Sequence, residues 1–158
     1  MLIFKLFGLA ALIFCGGLAG VCFAAFERKK LLQAEGFLSL LRHLRAQIDC
    51  FSMPISQIFS GCDKSVLAAC GTERVPKDLA TMLCDVKLYL SEEMCGLLGD
   101  LSARLGAGYR EEQLRCIDYY IARFTPYCDT LRGELPKRER MALLLPLALC
   151  VALVLLLW

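Results

Sequence analysis

Apolar residues occupy two uninterrupted stretches at the ends of the chain. Leu6–Phe26 holds 21 residues without a charge, and Met141–Trp158 holds 18. A helix needs about 20 apolar residues to cross roughly 30 Å of hydrocarbon. The first stretch therefore predicts an N-terminal transmembrane helix. The second predicts a C-terminal one that is just long enough if it runs straight, and Pro146 leaves a tilted or interfacial segment open.

Between these stretches, apolar residues recur every three or four positions, which is the spacing of one buried helical face. The first helix is expected to continue beyond the anchor along the face formed by Phe37, Leu40, Leu41, Leu44, Ile48 and Phe51. A break is predicted at 52–54, because serine caps helix starts and proline is tolerated in a first turn. Two short helices are expected over about 53–60 and 63–70, ended by Gly61 and Gly71.

Three further helical segments are predicted before the second apolar stretch. Helical spacing returns from Pro76, and Ser91 followed by two acidic residues marks a good helix start. The glycine-rich segment 106–108 ends that helix, and the last helix before the second apolar stretch begins near Tyr109.

Glycines and prolines carry further expectations about these helices. Gly96 and Gly99 weaken their helix but are expected to permit close approach of another one. Pro126 is expected to kink or end the last helix, and Pro136 to bend the chain again. No strand-like alternation occurs. The sequence therefore predicts an all-α protein, an antiparallel helical bundle flanked by an N-terminal and a C-terminal transmembrane helix.

The distribution of charge predicts the orientation of the chain. Of the 18 Lys and Arg residues, 17 fall between Arg28 and Arg140, with clusters at 28–30 and 137–140 that adjoin the two apolar stretches. Short basic flanks stay on the cytoplasmic side of a membrane. The chain is therefore divided into an anchor (1–26), a cytoplasmic helical domain (27–140) and a second membrane segment (141–158), with both termini outside.

Two alternatives concern the partners and the fate of the first stretch. All 16 acidic residues also lie in the middle region, so its net charge is only +1. A nucleic-acid partner, which requires a clustered basic face, is therefore not expected. The first stretch exceeds the 7–15 apolar residues of a cleaved signal peptide, and basic residues follow it directly, so retention as an anchor is favoured.

The ten cysteines do not form a recognisable metal or redox motif. No two are separated by two residues, and His43, placed among exposed positions, is the only histidine. In a reducing cytoplasm the thiols are expected to act as small buried apolar groups. Seven of them lie in the middle region, however, and this leaves a membrane-tethered regulatory thiol or redox sensor as the alternative function.

Residues that would indicate catalysis are missing from the sequence. There is no nucleophile–base pair and no phosphate-binding loop. The two apolar stretches carry no charge, and Lys5 directly precedes the first of them. The adjacent acids at 92–93 and 111–112 fit helix starts, where the helix dipole favours them. The chain is therefore expected to be a membrane-tethered scaffold without enzymatic activity, cofactor or metal.

The order of motifs resembles that of one known family. The anchor ends in Glu27-Arg28, a leucine ladder follows, and a proline–aliphatic pair stands at 54–55. The most specific element is the segment 101–113, a leucine–glycine turn followed by an acidic–basic step and a glutamine. In these features, and over nearly its whole length, the chain resembles the stage III sporulation protein AB family of endospore-forming Firmicutes.

This resemblance implies a structural role. The family belongs to the channel complex that links the mother cell to the engulfed forespore, and it is similar in architecture to inner-membrane platform proteins of type II secretion and type IV pilus machines. The implied partners are the lipid bilayer, a secretion-type ATPase of the same operon and other channel-complex proteins. The implied location is the mother-cell membrane around the forespore.

Four residues of the segment 101–113 are candidates for contact with a partner: Leu105, Gly106, Arg110 and Gln113. The resemblance implies either a partner surface or a turn that specifies the fold. A third interpretation is that Arg110 only pairs at the helix start and that Gly106 only terminates a helix.

Overall fold

In a computed structural model, residues 2–51, 55–106 and 108–157 are described, and their side chains are described except at 2–13, 51, 55–56, 143, 147, 150 and 153–157. Every regular element in these ranges is a helix, which confirms the all-α class. The helices are α1 (Leu2–Phe51), α2 (Ile55–Ser60), α3 (Lys64–Cys70), α4 (Leu79–Asp85), α5 (Glu92–Arg104) and α6 (Arg110–Leu157). The predicted break at 52–54 lies outside the described residues.

The chain forms two compact units. The terminal unit joins Met1–Lys29 with Leu131–Trp158, and the central unit is Lys30–Thr130. The long helices α1 and α6 each contribute to both units, so the units do not follow the limits of the apolar stretches. Among the residues that the structure describes, no helix combines the length and apolarity needed to cross a membrane.

The core of the central unit is built on the predicted face of α1. Phe37, Leu40, Leu41, Leu44 and Ile48 are all buried, as their spacing predicts, and Phe51 lies outside the described side chains. The other elements close over this face with buried apolar side chains of their own: Ile58, Phe59, Leu67, Leu79, Met82, Leu98, Leu101, Ile117 and Phe124.

Side-chain caps fix the starts of the shorter helices. Asp63 accepts a hydrogen bond from the backbone N–H of Ser65 at 3.0 Å, and Asp78 accepts one from Thr81 at 2.7 Å. Ser91 accepts from the N–H of Met94 at 3.4 Å, which confirms the predicted start of α5. Each cap satisfies an N–H that has no partner within its own helix.

Gln33 ties α1 to two segments that lie far away in the sequence. Its side chain is almost fully buried, and its amide nitrogen donates to the carbonyls of Cys70 and Lys87, both at 3.0 Å. Its amide oxygen accepts from the N–H of Tyr89 at 2.7 Å. One side chain thus joins α1 to the end of α3 and to the segment before α5.

Close packing between helices occurs at Gly36 rather than at the expected glycines. A Cβ at Gly36 would lie 2.8 Å from the carbonyl carbon of Ala69 and 2.9 Å from the nitrogen of Cys70. A Cβ at Gly96 or Gly99 would meet no atom within 4 Å. The expectation that these two glycines permit close helix approach is therefore wrong, because they lie on the open side of α5.

The prolines of α6 do not end it. The helix runs from Arg110 to Leu157 and includes Pro126 and Pro136. Proline costs a helix interior about 3 kcal/mol through a lost hydrogen bond and a steric clash. On both sides of Pro126 the same face of α6 is buried, through Tyr120, Phe124 and Cys128. Tertiary packing of this face therefore outweighs the local cost of the proline.

His43 is less exposed than its sequence position suggested. The residue is half-buried, and its Nε2 atom is buried without a hydrogen-bond partner among the described residues. The expectation that it lies among exposed positions is wrong, because the helices around α1 cover more than one face of it.

Reciprocal ion pairs link the two helices of the terminal unit. Arg28 of α1 pairs with Glu139 of α6, and Arg138 of α6 lies 3.3 Å from Glu27 of α1. Arg138 also pairs with Glu134 at 2.7 Å, one turn earlier in α6. The apolar stretches of α1 and α6 begin next to these pairs and therefore extend from the same end of the paired segment.

Candidate partner-binding site

The turn between α5 and α6, described at residues 105–106 and 108–109, requires glycine geometry. Leu105 closes α5 by donating its N–H to the carbonyl of Leu101 at 2.8 Å. Gly106 then has φ +92° and Gly108 has φ +123°, in the left-handed region that side chains with a Cβ rarely adopt. Two such residues reverse the chain within a few positions and place Tyr109 at the tip, 86% exposed.

Arg110 is bound by the protein itself. Its Nε donates to the carbonyl of Ile48 at 3.2 Å, and its Nη2 donates to the carbonyl of Asp49 and, at 2.8 Å, to the carboxylate Oδ1 of Asp49. Carbonyls in the last turn of a helix have no partner within that helix. Arg110 therefore caps the end of α1 from the start of α6, an arrangement that favours the fold-specifying interpretation of this residue.

Gln113 has a similar local role. Its amide nitrogen donates to the carbonyl of Gly108 at 3.0 Å, and its backbone N–H donates to the carbonyl of Tyr109 at 3.0 Å. Both bonds hold the turn against the first turn of α6. Gln113 is only half-buried, however, and also lines the cleft described below.

Arg110 belongs to a chain of ion pairs that joins α1 to α6. Asp49 is also 4.0 Å from Arg45, which in turn forms a two-point ion pair with Asp118. The hydrogen bond from Arg45 to Asp118 raises the pKa of the Arg45 guanidinium. All four side chains are about half exposed, so each pair contributes little to stability and mainly sets the register of two antiparallel helices.

A cleft of about 700 Å³ opens between α5 and α6 beside this turn. Its wall carries both signs of charge together with aromatic surface: Leu97, Asp100, Ala103, Arg104, Glu112, Gln113, Arg115, Cys116, Tyr119 and Tyr120. The Tyr119 and Tyr120 rings pack edge to face with centroids 5.3 Å apart, and Tyr119 is 56% exposed. Exposed tyrosines and arginines around a concave surface are typical of protein interfaces.

Of the four candidate residues predicted from the sequence, Gln113 alone lines this cleft, and the cleft itself was not predicted. The aromatic and basic residues of its wall were missed, although Glu112, Cys116, Tyr119 and Tyr120 recur at helical spacing on one face of α6. That periodicity was a usable signal. The matching face of α5, with Leu97, Asp100 and Arg104, requires the turn geometry before it can be placed opposite.

The cysteines divide into buried and exposed groups. Cys62, Cys70 and Cys128 are buried, as expected for small apolar groups, whereas Cys50 and Cys84 are exposed and depart from that expectation. Burial raises the pKa of the Cys70 thiol to about 12 and raises the pKa values of Cys62, Cys95 and Cys116 as well. These four thiols are therefore poorly suited to redox sensing, which requires accessible thiolates.

Among the described residues, no group of three or more histidine, cysteine, aspartate or glutamate side chains is placed to hold a metal ion. The candidate site consists of the α5–α6 turn and the α5–α6 cleft. Comparison of the chain with protein-family models, with curated proteins and with solved structures finds no match.

Proposed function

We propose that this protein is a non-enzymatic, membrane-anchored platform of the channel complex between mother cell and forespore, and that it receives a secretion-type ATPase on its central unit. The proposal combines the resemblance to the stage III sporulation protein AB family with the charge and exposure of the described residues. On this proposal, α1 and α6 anchor the chain through their apolar ends, and residues 27–140 face the cytoplasm.

The pairing of α1 with α6 in the terminal unit is the observation that carries the proposal. Arg28 with Glu139 and Arg138 with Glu27 fix the two helices side by side at the point where both apolar stretches begin. A platform held at one membrane face requires two anchors that start at the same level and run in the same direction.

The exposed surface of the terminal unit is largely apolar, and this supports the proposal that the unit lies in an apolar environment. Many large apolar side chains of this unit are more than 40% exposed: Phe14, Leu18, Val21, Phe23, Phe26, Met141, Leu144, Leu145, Leu149 and Val151. A continuous exposed apolar surface is unfavourable in water and marks contact with a membrane or a protein. On both helices this surface begins immediately beyond the basic flanks.

On the central unit, the α5–α6 cleft and the tip of the turn are the proposed ATPase surface. Tyr109 and Tyr119 supply exposed aromatic area, and Arg104 and Arg115 supply cations beside the acids of the wall. Arg110 and Gly106 determine the shape of the turn and do not line the cleft. Of the four candidate residues, Gln113 is the one that also lines the cleft.

Binding of the full chain to the purified ATPase tests this function. The chain is reconstituted in lipid nanodiscs and titrated with the secretion-type ATPase encoded beside it. We expect specific binding that Tyr109→Ser with Tyr119→Ser weakens at least about tenfold, because exposed tyrosines dominate many interfaces. Val75→Ser, at another exposed apolar position of the central unit, is the control and should bind normally. Absence of binding by the folded chain would contradict the proposed partner.

A further inference from the structure

We propose that Lys29, Lys137 and Arg140 form a binding surface for the headgroups of anionic phospholipids. We call these three residues the boundary cations. The inference rests on the membrane anchoring proposed above and adds a lipid class to it. Its basis is that the ion pairs of the terminal unit neutralise some basic residues near the apolar stretches and leave others unpaired.

Two of the arginines at this level are neutralised by the chain itself. Arg28 pairs with Glu139, and the hydrogen bond from Arg28 lowers the pKa of the Glu139 carboxyl. Arg138 lies between Glu134 at 2.7 Å and Glu27 at 3.3 Å, and the Glu27 side chain is only 7% exposed. These arginines join α1 to α6, and their charge is balanced by carboxylates.

The boundary cations differ from these arginines in having no carboxylate partner. All three are exposed, and within the described part of the chain none forms an ion pair or a hydrogen bond through its side chain. Lys137 and Arg140 are three residues apart, so they lie on neighbouring positions of one helix surface. Lys29 follows Arg28, which pairs with α6 at residue 139, so the three cations lie close to one level of the paired helices.

That level is the place where an anchored chain meets lipid headgroups. Lys29 lies within one helical turn of Phe26, the last residue of the first apolar stretch. Arg140 directly precedes Met141, the first residue of the second apolar stretch. Phosphate groups of a bilayer surround this level when the apolar stretches are in the hydrocarbon. Unpaired Lys and Arg side chains beside a membrane span are attracted to anionic lipids, on the order of fivefold in affinity for each cation.

The preference of the full chain for anionic lipid is measured by electron paramagnetic resonance. The chain is reconstituted in phosphatidylcholine vesicles that contain trace spin-labelled phosphatidylglycerol or spin-labelled phosphatidylcholine, and the association constants of the two lipids are compared. We expect the wild type to prefer phosphatidylglycerol. Lys29→Gln, Lys137→Gln and Arg140→Gln together should reduce that preference at least about tenfold, and salt should weaken it in the wild type.

Two controls match these variants. Lys64→Gln, Arg74→Gln and Lys77→Gln remove the same net charge from exposed positions of the central unit and should leave the preference unchanged. Arg28→Glu with Glu139→Arg keeps both the charge and the ion pair and should also leave it unchanged. Equal association of both lipids with the wild type, or an equal loss in the central-unit control, would overturn the inference. A chain that fails to float with neutral vesicles would contradict the anchoring itself, and the inference would fall with it.

Discussion

At the scale of single residues, Gly36 and Gln33 determine how α1 meets the rest of the central unit. Gly36 provides the space in which the backbone of Ala69 approaches α1, and Gln33 binds backbone groups of Cys70, Lys87 and Tyr89. Both residues act by contact with segments more than 30 positions away. Neither residue has a signature in the local pattern that points to these contacts, so no role could be predicted for them from the sequence.

Gly36→Ala is expected to destabilise the central unit by about 1–3 kcal/mol, because the added methyl group meets backbone atoms that cannot move independently of α3. Gly99→Ala is the matched control. It lies in a helix interior with open space around it, so it should stabilise by about 0.5–1 kcal/mol. Thermal unfolding of the full chain in detergent micelles, followed by circular dichroism, measures both. The same sign for the two variants would contradict the described α1–α3 contact.

Gln33→Leu is expected to cost about 2–4 kcal/mol, because it removes three hydrogen bonds from a buried position without a large change in volume. Gln57→Leu, at an exposed position of α2, should change stability by less than about 0.5 kcal/mol. The same unfolding measurement compares them. A neutral Gln33→Leu variant would show that these bonds are not formed in solution.

At the scale of elements, the sequence predicted most of what local chemistry controls. The cap Ser91, the stop at Gly71 and the buried face of α1 follow from residue type and spacing, and the structure confirms them. The extent of α6 did not follow, because the cost of Pro126 is local whereas the packing that offsets it is tertiary. The candidate turn was located correctly, but its cleft depends on two helices at once.

The pairing of α1 with α6 in the terminal unit should depend on pH through Glu139. The hydrogen bond from Arg28 holds the pKa of this carboxyl below its ordinary value of 4.5. A carboxyl with a lowered pKa adds stability that is fully present above the ordinary value and is lost as the pH falls through the folded-state value. The contribution is therefore expected to be fully present at neutral pH and to be lost as the pH falls below 4.5 through the lowered pKa of Glu139.

Comparison of the wild type with Arg28→Gln isolates this contribution. The difference between their thermal midpoints in micelles, measured from about pH 7 to pH 3, should narrow as Glu139 is protonated. Arg123→Gln, which removes an exposed ion pair with Glu93 in the central unit, reports acid effects elsewhere in the chain. A difference that stays constant across this range would contradict the Arg28–Glu139 pairing.

At the scale of the whole molecule, the central claim is that both ends of the chain are membrane anchors and that the central unit faces the cytoplasm. The claim combines the charge distribution with the pairing of α1 and α6 and with the exposed apolar surface of the terminal unit. Fold class and helix order were accessible from the sequence. The pairing that places both apolar stretches at one level became visible only in the structure.

The exposed thiol of Cys84 in α4 allows the most direct test of this claim. A membrane-impermeant maleimide is added to intact spheroplasts or to lysed ones, and labelling at Cys84 is read by peptide mass spectrometry. We expect labelling only after lysis, with the chain in the membrane fraction after alkaline extraction. Labelling of Cys84 in intact spheroplasts, or release of the chain by alkaline extraction, would contradict it.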